Sequence, residues 1–319
     1  MLHRPWVAPL VVGCWCITVG WLFGTKILPT FVGGVAPNHA SAANASQGFA
    51  PVGWTVHWNG TPIGWALTQS QPSAEGGVTI DNRLHCDRLP LHDILPVWLR
   101  SLLPRGRAIG QSTTLDARGR IVVDASGSLR SFASTVTLPG TAEQVVLEGV
   151  VEKRGEVRIT FRAGDLRYET TTRVPEQVMM GDELSPQATL PGLYEGRRWI
   201  VPVYSPLRPG KTPLEILHAA VGGEETIFWG NRLTNARVVT YREDPSSSRP
   251  PRCRLWVDRS GRVLRHESAI LGAAMEFVRR TDAAAERLAA VAELVDAPGP
   301  SDLEPGIEAS NEVSSGALP

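Results

Sequence analysis

Asn59-Gly60 stands between two runs that alternate apolar and polar residues, Trp54-Thr-Val-His-Trp58 and Thr61-Pro-Ile-Gly-Trp-Ala-Leu67. Few conformations satisfy that arrangement. Both turn residues accept the positive φ of a type I′ turn, whose twist matches the strands it joins, so a two-residue β-hairpin is expected. Counted back from the turn, Val56 faces Ile63 and Trp54 faces Trp65, on one apolar side. Thr55, His57, Pro62 and Gly64 take the other side. His57 and Pro62 form a non-hydrogen-bonded pair, so the absent N–H of Pro62 points away from the first strand and marks an edge.

Similar signals recur downstream. Asp116-Ala-Arg-Gly119, Glu152-Lys-Arg-Gly155 and Asp258-Arg-Ser-Gly261 share one turn chemistry. The first residue accepts backbone N–H bonds, and the glycine takes the left-handed conformation. Ile121 and Val123 follow the first turn, Val145, Leu147 and Val151 precede the second, and Leu255, Val257 and Val263 flank the third. Strand patterns also run through 78–88, 199–203, 226–229, 237–242 and 268–279, the last interrupted by Gly272. The expected fold is mainly β: an antiparallel β-sandwich or half-barrel with one or two helices. One helix is expected at 91–103, kinked by Pro96. Another covers the Ala-rich stretch 282–295, with Leu288, Val291, Leu294 and Val295 on one side.

Residues 6–24, WVAPLVVGCWCITVGWLFG, carry no charge. As a helix they span roughly 28 Å, close to the hydrocarbon thickness of a bilayer. Trp6 and Trp21 sit where amphipathic rings favour headgroups, and Arg4 before the run faces only Lys26 after it, which places the short end in the cytoplasm. Val11-Val12-Gly13-Cys14 resembles a lipoprotein box in outline, but the chain stays apolar beyond Cys14. Ala40-Ser41-Ala42 fits a signal cleavage site, yet lies far beyond the apolar run. A retained single-pass anchor over 1–26 fits better than either, as part of a cytoplasmic-membrane protein whose bulk is extracytoplasmic. A flexible linker follows at 27–53, a β domain at 54–280, a helix at 281–296 and a disordered acidic tail at 297–319.

Lysine plus arginine equals aspartate plus glutamate, at 32 each, so no overall field points to nucleic acid. Cys14 and Cys16 lie in the anchor as small apolar residues. Cys86 and Cys253 fall on the apolar phase of their strands, and in an oxidising compartment they form a candidate disulfide; two separate buried thiols are the alternative.

The stretch Trp54 to Trp65, with Leu129-Arg-Ser-Phe132, Leu147-Glu-Gly149, Leu190-Pro-Gly192 with Gly196, and Arg254-Leu-Trp-Val-Asp258, resembles a family of exported bacterial β-rich domains of unknown function. Related domains precede transglutaminase-like domains in some bacterial proteins; that domain has no counterpart here. The resemblance implies an envelope β-domain and supplies no catalytic residues. The half-barrel of lipoprotein-carrier proteins is similar in fold only.

No residue set with catalytic or cofactor-binding spacing emerges. His57, His85, His92, His218 and His266 are scattered without metal-ligand spacing, and adjacent His85 and Cys86 point to opposite faces of a strand. Asp182-Glu183 reads as a solvated loop. No phosphate loop or serine elbow is present, and no cofactor is expected. Trp54, Trp58, Trp65 and Trp199 are candidates to line a cavity for an apolar ligand, although such rings more often fill a core. Trp256, out of phase with Leu255 and Val257, should be exposed or covered by a helix. The function expected is binding or scaffolding in the bacterial cell envelope, with the membrane, an apolar ligand or an envelope protein as partners. The alternatives are an accessory subunit of a separate envelope hydrolase or transferase, or an enzyme with an unrecognised carboxylate site.

Overall fold

The structure, a computed structural model, describes residues 7–23, 50–73, 76–89, 113–137, 144–152, 155–173, 179–180, 185–204, 214–270 and 273–296. The expected helix at 91–103, most of the linker, the acidic tail and Asp182-Glu183 lie outside them. Helix α1 (Val7–Leu22) precedes fifteen strands. The first eight are β1 (Val52–Trp58), β2 (Thr61–Pro72), β3 (Val78–Leu89), β4 (Thr113–Val123), β5 (Leu129–Thr137), β6 (Gln144–Val151), β7 (Glu156–Ala163) and β8 (Leu166–Arg173). Then come β9 (Met179–Met180), β10 (Arg198–Tyr204), β11 (Leu214–Trp229), β12 (Arg232–Arg242), β13 (Cys253–Val257), β14 (Val263–Ile270), β15 (Ala273–Arg279) and helix α2 (Asp282–Asp296).

All strands join one sheet in the order β8-β7-β6-β5-β4-β3-β2-β1-β15-β14-β13-β12-β11-β10-β9. One meander runs outward from β1 to β8, and a second returns to set β15 beside β1. Pairing is antiparallel except between β9 and β10. The fold is therefore a single curled sheet, not two stacked ones. Its wings share an inner face: Trp54 and Trp58 of β1, Leu84 and Cys86 of β3, Trp199 of β10, Leu255 of β13 and Phe277 of β15 lie in one core cluster. Tyr204 of β10 joins Phe132, Leu147, Val157 and Ile159 of the opposite wing in a second cluster. The wings are thus held together by apolar side chains across the interior.

The hairpin at Asn59-Gly60 forms, with φ of 47° and 81°, but its register departs from a simple count. His57 pairs with Pro62 as expected, then a β-bulge makes Val56 face Gly64 and Trp54 face Ala66. A bulge inserts one unpaired residue, and every side chain after it changes face. Trp65 is thereby turned to the outer side, opposite Thr55 and His85. Gly64 is required there, because an added Cβ would lie 2.0 Å from the His85 carbonyl oxygen.

Of the three expected turns, the one at Asp258–Gly261 forms, and the one at Glu152–Gly155 is described only at its two ends. Asp258 accepts N–H bonds from Ser260 and Arg262, and Gly261 has φ 84°. Gly155 has φ 74° beside the Glu152–Glu156 bond. Residues 116–119 instead run straight through β4, and the turn lies at Asp124-Ala-Ser-Gly127, with the same carboxylate bonds to Ser126 and Ser128. The expected strand over 268–279 is two strands, β14 ending at Ile270 and β15 beginning at Ala273.

Several short motifs prove to be close approaches of backbone. Phe132 lies over Gly149, where an added Cβ would come within 2.1 Å of the ring. Leu190 donates its N–H to the Gly261 carbonyl at 2.7 Å, with Pro191 packed on that glycine.

Helix α2 packs on the outer side against Leu67 and Trp65 through Leu288, Ala289 and Ala292. Its buried stripe is the alanine side, so Val291, expected inward, is 56% exposed. Trp256 is buried on the outer side by Ile227, Ala236 and Val238, not by a helix, and Arg265 lies 4.6 Å over its ring. The described part of the N-terminal apolar run, α1, is 16 residues, about 24 Å long by helical rise. No helix among the described residues is long and apolar enough to cross a membrane.

Candidate functional site

The inner face brings together three of the four candidate lining tryptophans, as core. Trp54, Trp58 and Trp199 are 0%, 6% and 2% exposed within one apolar cluster. Trp65 is on the opposite face because of the bulge, so the four do not line one cavity. Cys86 and Cys253 are free thiols. Of the two alternatives for this pair the structure has the separate thiols, with β2, β1, β15 and β14 standing between their strands.

Cys253 meets a histidine that spacing did not reveal. Its Sγ lies 3.2 Å from His266 Nε2, which is also 3.0 Å from Ser268 Oγ. The arrangement invites comparison with a cysteine–histidine nucleophile, and its hydrogen bonding argues against that chemistry. His266 Nδ1 accepts the Gln187 N–H at 3.3 Å, so the ring proton sits on Nε2, facing sulfur. A protonated Nε2 cannot take the thiol proton. Burial pushes the thiol up to about 12 and the imidazole down to about 4, which leaves both neutral.

The outer face carries a different constellation. On it, Trp65 of β2 lies opposite His85 of β3, His85 opposite Asp116 of β4, Asp116 opposite Thr137 of β5, and Thr137 opposite Gln144 of β6. A parallel row runs Arg83, Arg118, Thr135. These rows and residues Val291 and Ala292 of α2 enclose a groove of about 730 Å³. That volume suits a small-molecule ligand.

The groove is firmly braced. His85 stacks on Trp65 at 5.5 Å between ring centroids, and Arg83 lies 5.5 Å from the same ring. Arg83 donates to the Ala292 carbonyl at 2.8 Å, near the negative end of α2. His85 Nδ1 is 2.7 Å from Asp116 Oδ1 and its Nε2 is 3.1 Å from Asp87 Oδ1. Burial alone would lower the pKa of this imidazole, but the two carboxylates outweigh it and raise the value. Carboxylates occupy both nitrogens and favour the charged ring, so no free nitrogen remains for base catalysis. The groove can bind, orient and discriminate.

No cluster of three or more metal-ligating side chains occurs among the described residues. His85 was visible in the sequence only as a scattered histidine, and Asp116 as a turn residue. The signal that could have paired them is the unbroken phase of Leu115, Ala117, Gly119, Ile121 and Val123, which marks 113–123 as one strand.

No family model matches the chain, and no curated protein does. Among solved structures it is similar to a β-barrel-like protein of the domain of unknown function DUF1849 from Brucella abortus. There the TM-score is 0.41 and the identity 10%, over 72% of this chain and 94% of that one. A DUF1089 family protein from Pseudomonas aeruginosa matches with a TM-score of 0.33 and 15% identity, over 62% of this chain and 87% of that one.

Proposed function

We propose that this chain is a membrane-tethered binding module of the bacterial envelope, with its sheet on the extracytoplasmic side and no catalytic site of its own. The observation that carries the binding role is the groove in which His85 is held at both nitrogens. Its ionisable groups are fixed for recognition and unsuited to moving protons. Tethering rests on the uncharged run 6–24 and on α1, where Leu10, Trp15, Ile17 and Trp21 are exposed on several sides.

A second reading, an accessory subunit for a separate envelope enzyme, draws on the β11–β12 hairpin. Phe228 and Leu233 are directly paired near its end, 68% and 74% exposed. Exposed paired apolar side chains of this kind suit a protein partner.

Two measurements test the proposal on the full chain. Carbonate-washed membranes should retain it, and protease added to spheroplasts should remove the sheet domain; recovery in the cytosol would defeat the tethering. Hydrogen exchange with and without envelope extract should show added protection on β2 to β6. Protection confined to 226–235 would instead favour the accessory subunit.

A further inference from the structure

The sheet ends at β8, and that edge carries a pattern able to pair with itself. A two-residue turn joins β7 to β8, with Gly164 at φ 56°, and Ala163 faces Leu166 across it. The closing pair of such a turn is hydrogen-bonded, so Leu166, Tyr168, Thr170 and Thr172 bond inward to β7. Arg167, Glu169, Thr171 and Arg173 turn their N–H and C=O groups to the far side, where β8 has no strand partner among the described residues. All four are exposed. Natural edges are blunted by proline, lysine, a bulge or a very short strand. β8 is eight residues long, has neither proline nor lysine, and keeps an unbroken register with β7.

The two faces of β8 differ. Tyr168 lies opposite Phe161, which packs on the inner cluster of Phe132, Leu147, Val157 and Ile159. Tyr168 and Leu166 are nevertheless 59% and 48% exposed, so the inner apolar surface runs out to the edge and ends uncovered. Arg167, Glu169 and Arg173 lie on the outer face with Arg158 and Arg162. Charges on an edge repel an arbitrary strand, so their order selects the partner.

We propose that β8 pairs antiparallel with β8 of a second copy of this chain, about a twofold axis at Tyr168, joining two curled sheets edge to edge. An axis normal to the sheet keeps each side chain on its own face, so odd positions meet odd and even meet even. Centred on Arg167 or Glu169, the pairing sets that residue against its own copy; centred on Thr170, it sets Arg167 against Arg173. Centred on Tyr168, it places Arg167 opposite Glu169 of the second copy and Glu169 opposite Arg167. These are the positions with open backbone groups, each pair exchanging both N–H···O bonds. Arg167 already bonds Glu169 of its own strand at 2.6 Å, and the exchange across the axis leaves neither charge alone. Tyr168 meets its own copy and Leu166 meets Thr170, which covers both exposed apolar side chains. A centre at Thr171 also opposes Glu169 to Arg173, but leaves Leu166 and Tyr168 uncovered. Neither the groove nor the tether enters this pairing.

The test is sedimentation of the full chain in non-denaturing detergent, titrated to about 0.1 mM because a strand-edge interface belongs to the weak class. A reversible monomer–dimer equilibrium is expected. Arg167→Glu or Glu169→Arg turns both ion pairs into like-charge pairs and should raise the dissociation constant about tenfold or more. Mixing these two variants should restore dimers containing one copy of each, and both changes in one chain should restore them as well. Thermal melting confirms that each variant is folded. In a chain carrying Cys14→Ser and Cys16→Ser, Tyr168→Cys should give a cross-linked dimer on oxidation, since facing non-hydrogen-bonded positions stand about 4.5 Å apart. Thr171→Cys should not. A monomer throughout, a dimer indifferent to the charge changes, or linking at Thr171 instead of Tyr168 overturns the proposal.

Discussion

His85 and His266 occupy opposite faces of one sheet, and the contrast between them separates what this protein keeps inert from what it presents. His266 is 8% exposed, receives the Gln187 N–H and gives its proton toward Cys253 or Ser268. His85, with a side chain 25% exposed, bridges two carboxylates. The same side chain is driven toward the neutral form among apolar neighbours and toward the charged form among acids, because desolvation opposes charge and ionic hydrogen bonds favour it. The inner face buries Cys253 and His266 away from water, where both stay neutral. The outer groove holds charges in fixed geometry, where a ligand can use them.

The tryptophans give the largest test of that division. Trp54→Ala should cost about 3–5 kcal/mol, since it empties a fully buried site between Ala66 and Arg279. Trp65→Ala removes a partly exposed ring between α2 and His85 and should cost about 1–2 kcal/mol, while weakening any ligand that occupies the groove. Urea midpoints for the two variants check this. Equal losses would mean that Trp65 is core and that the groove is an accident of packing.

The division could be read only partly from the sequence. Alternation showed the strands, and Asn59-Gly60 and Asp258 to Gly261 showed their turns, because those signals are local. The bulge after Val56 was hidden, since one extra residue leaves the period-2 pattern looking intact on either side. Gly64 was the mark of it: a residue with no Cβ where the next strand's carbonyl passes. Asp116 to Gly119 and Asp124 to Gly127 have the same turn pattern, and their neighbours decide between them. β4 pairs with β3 across 116–119, while after Val123 that pairing ends. The groove and the Cys253–His266 contact depend on cross-strand register, which no single stretch of sequence encodes.

The pH dependence of stability gives the next test, with opposite signs on the two faces. His266 has a folded pKa of about 4, below the unfolded value of 6.5, so below pH 6.5 the unfolded chain binds the proton first. Its stabilisation is present above pH 6.5 and is lost as pH falls toward 4, by about 3 kcal/mol in all. His85 is raised, so its contribution is full below pH 6.5 and fades as pH rises through the folded value. His266→Gln should therefore flatten the acid limb of a stability–pH curve, and His85→Gln the limb that begins above pH 6.5. If both variants altered the same limb, the two faces would not differ in the way described.

The smallest effect is expected at Cys253, where the inert reading is most exposed to test. The side chain sits beside a histidine, so a nucleophile would be quenched by Cys253→Ser and would react rapidly with iodoacetamide in the native fold. A neutral thiol held up at about 12 by burial should do neither. In a full chain carrying Cys14→Ser and Cys16→Ser, native alkylation should be slow at both Cys86 and Cys253, and two labels should appear on denaturation without reductant. Absence of label under denaturing conditions until reductant is added would reinstate the disulfide between them. Cys253→Ser itself should change stability by about 1 kcal/mol or less, because the new hydroxyl can accept the His266 Nε2–H that now faces sulfur. A loss several times larger would mean that the thiol's fit against Tyr241 and His266, rather than its hydrogen bond, is what the inner face requires at that position.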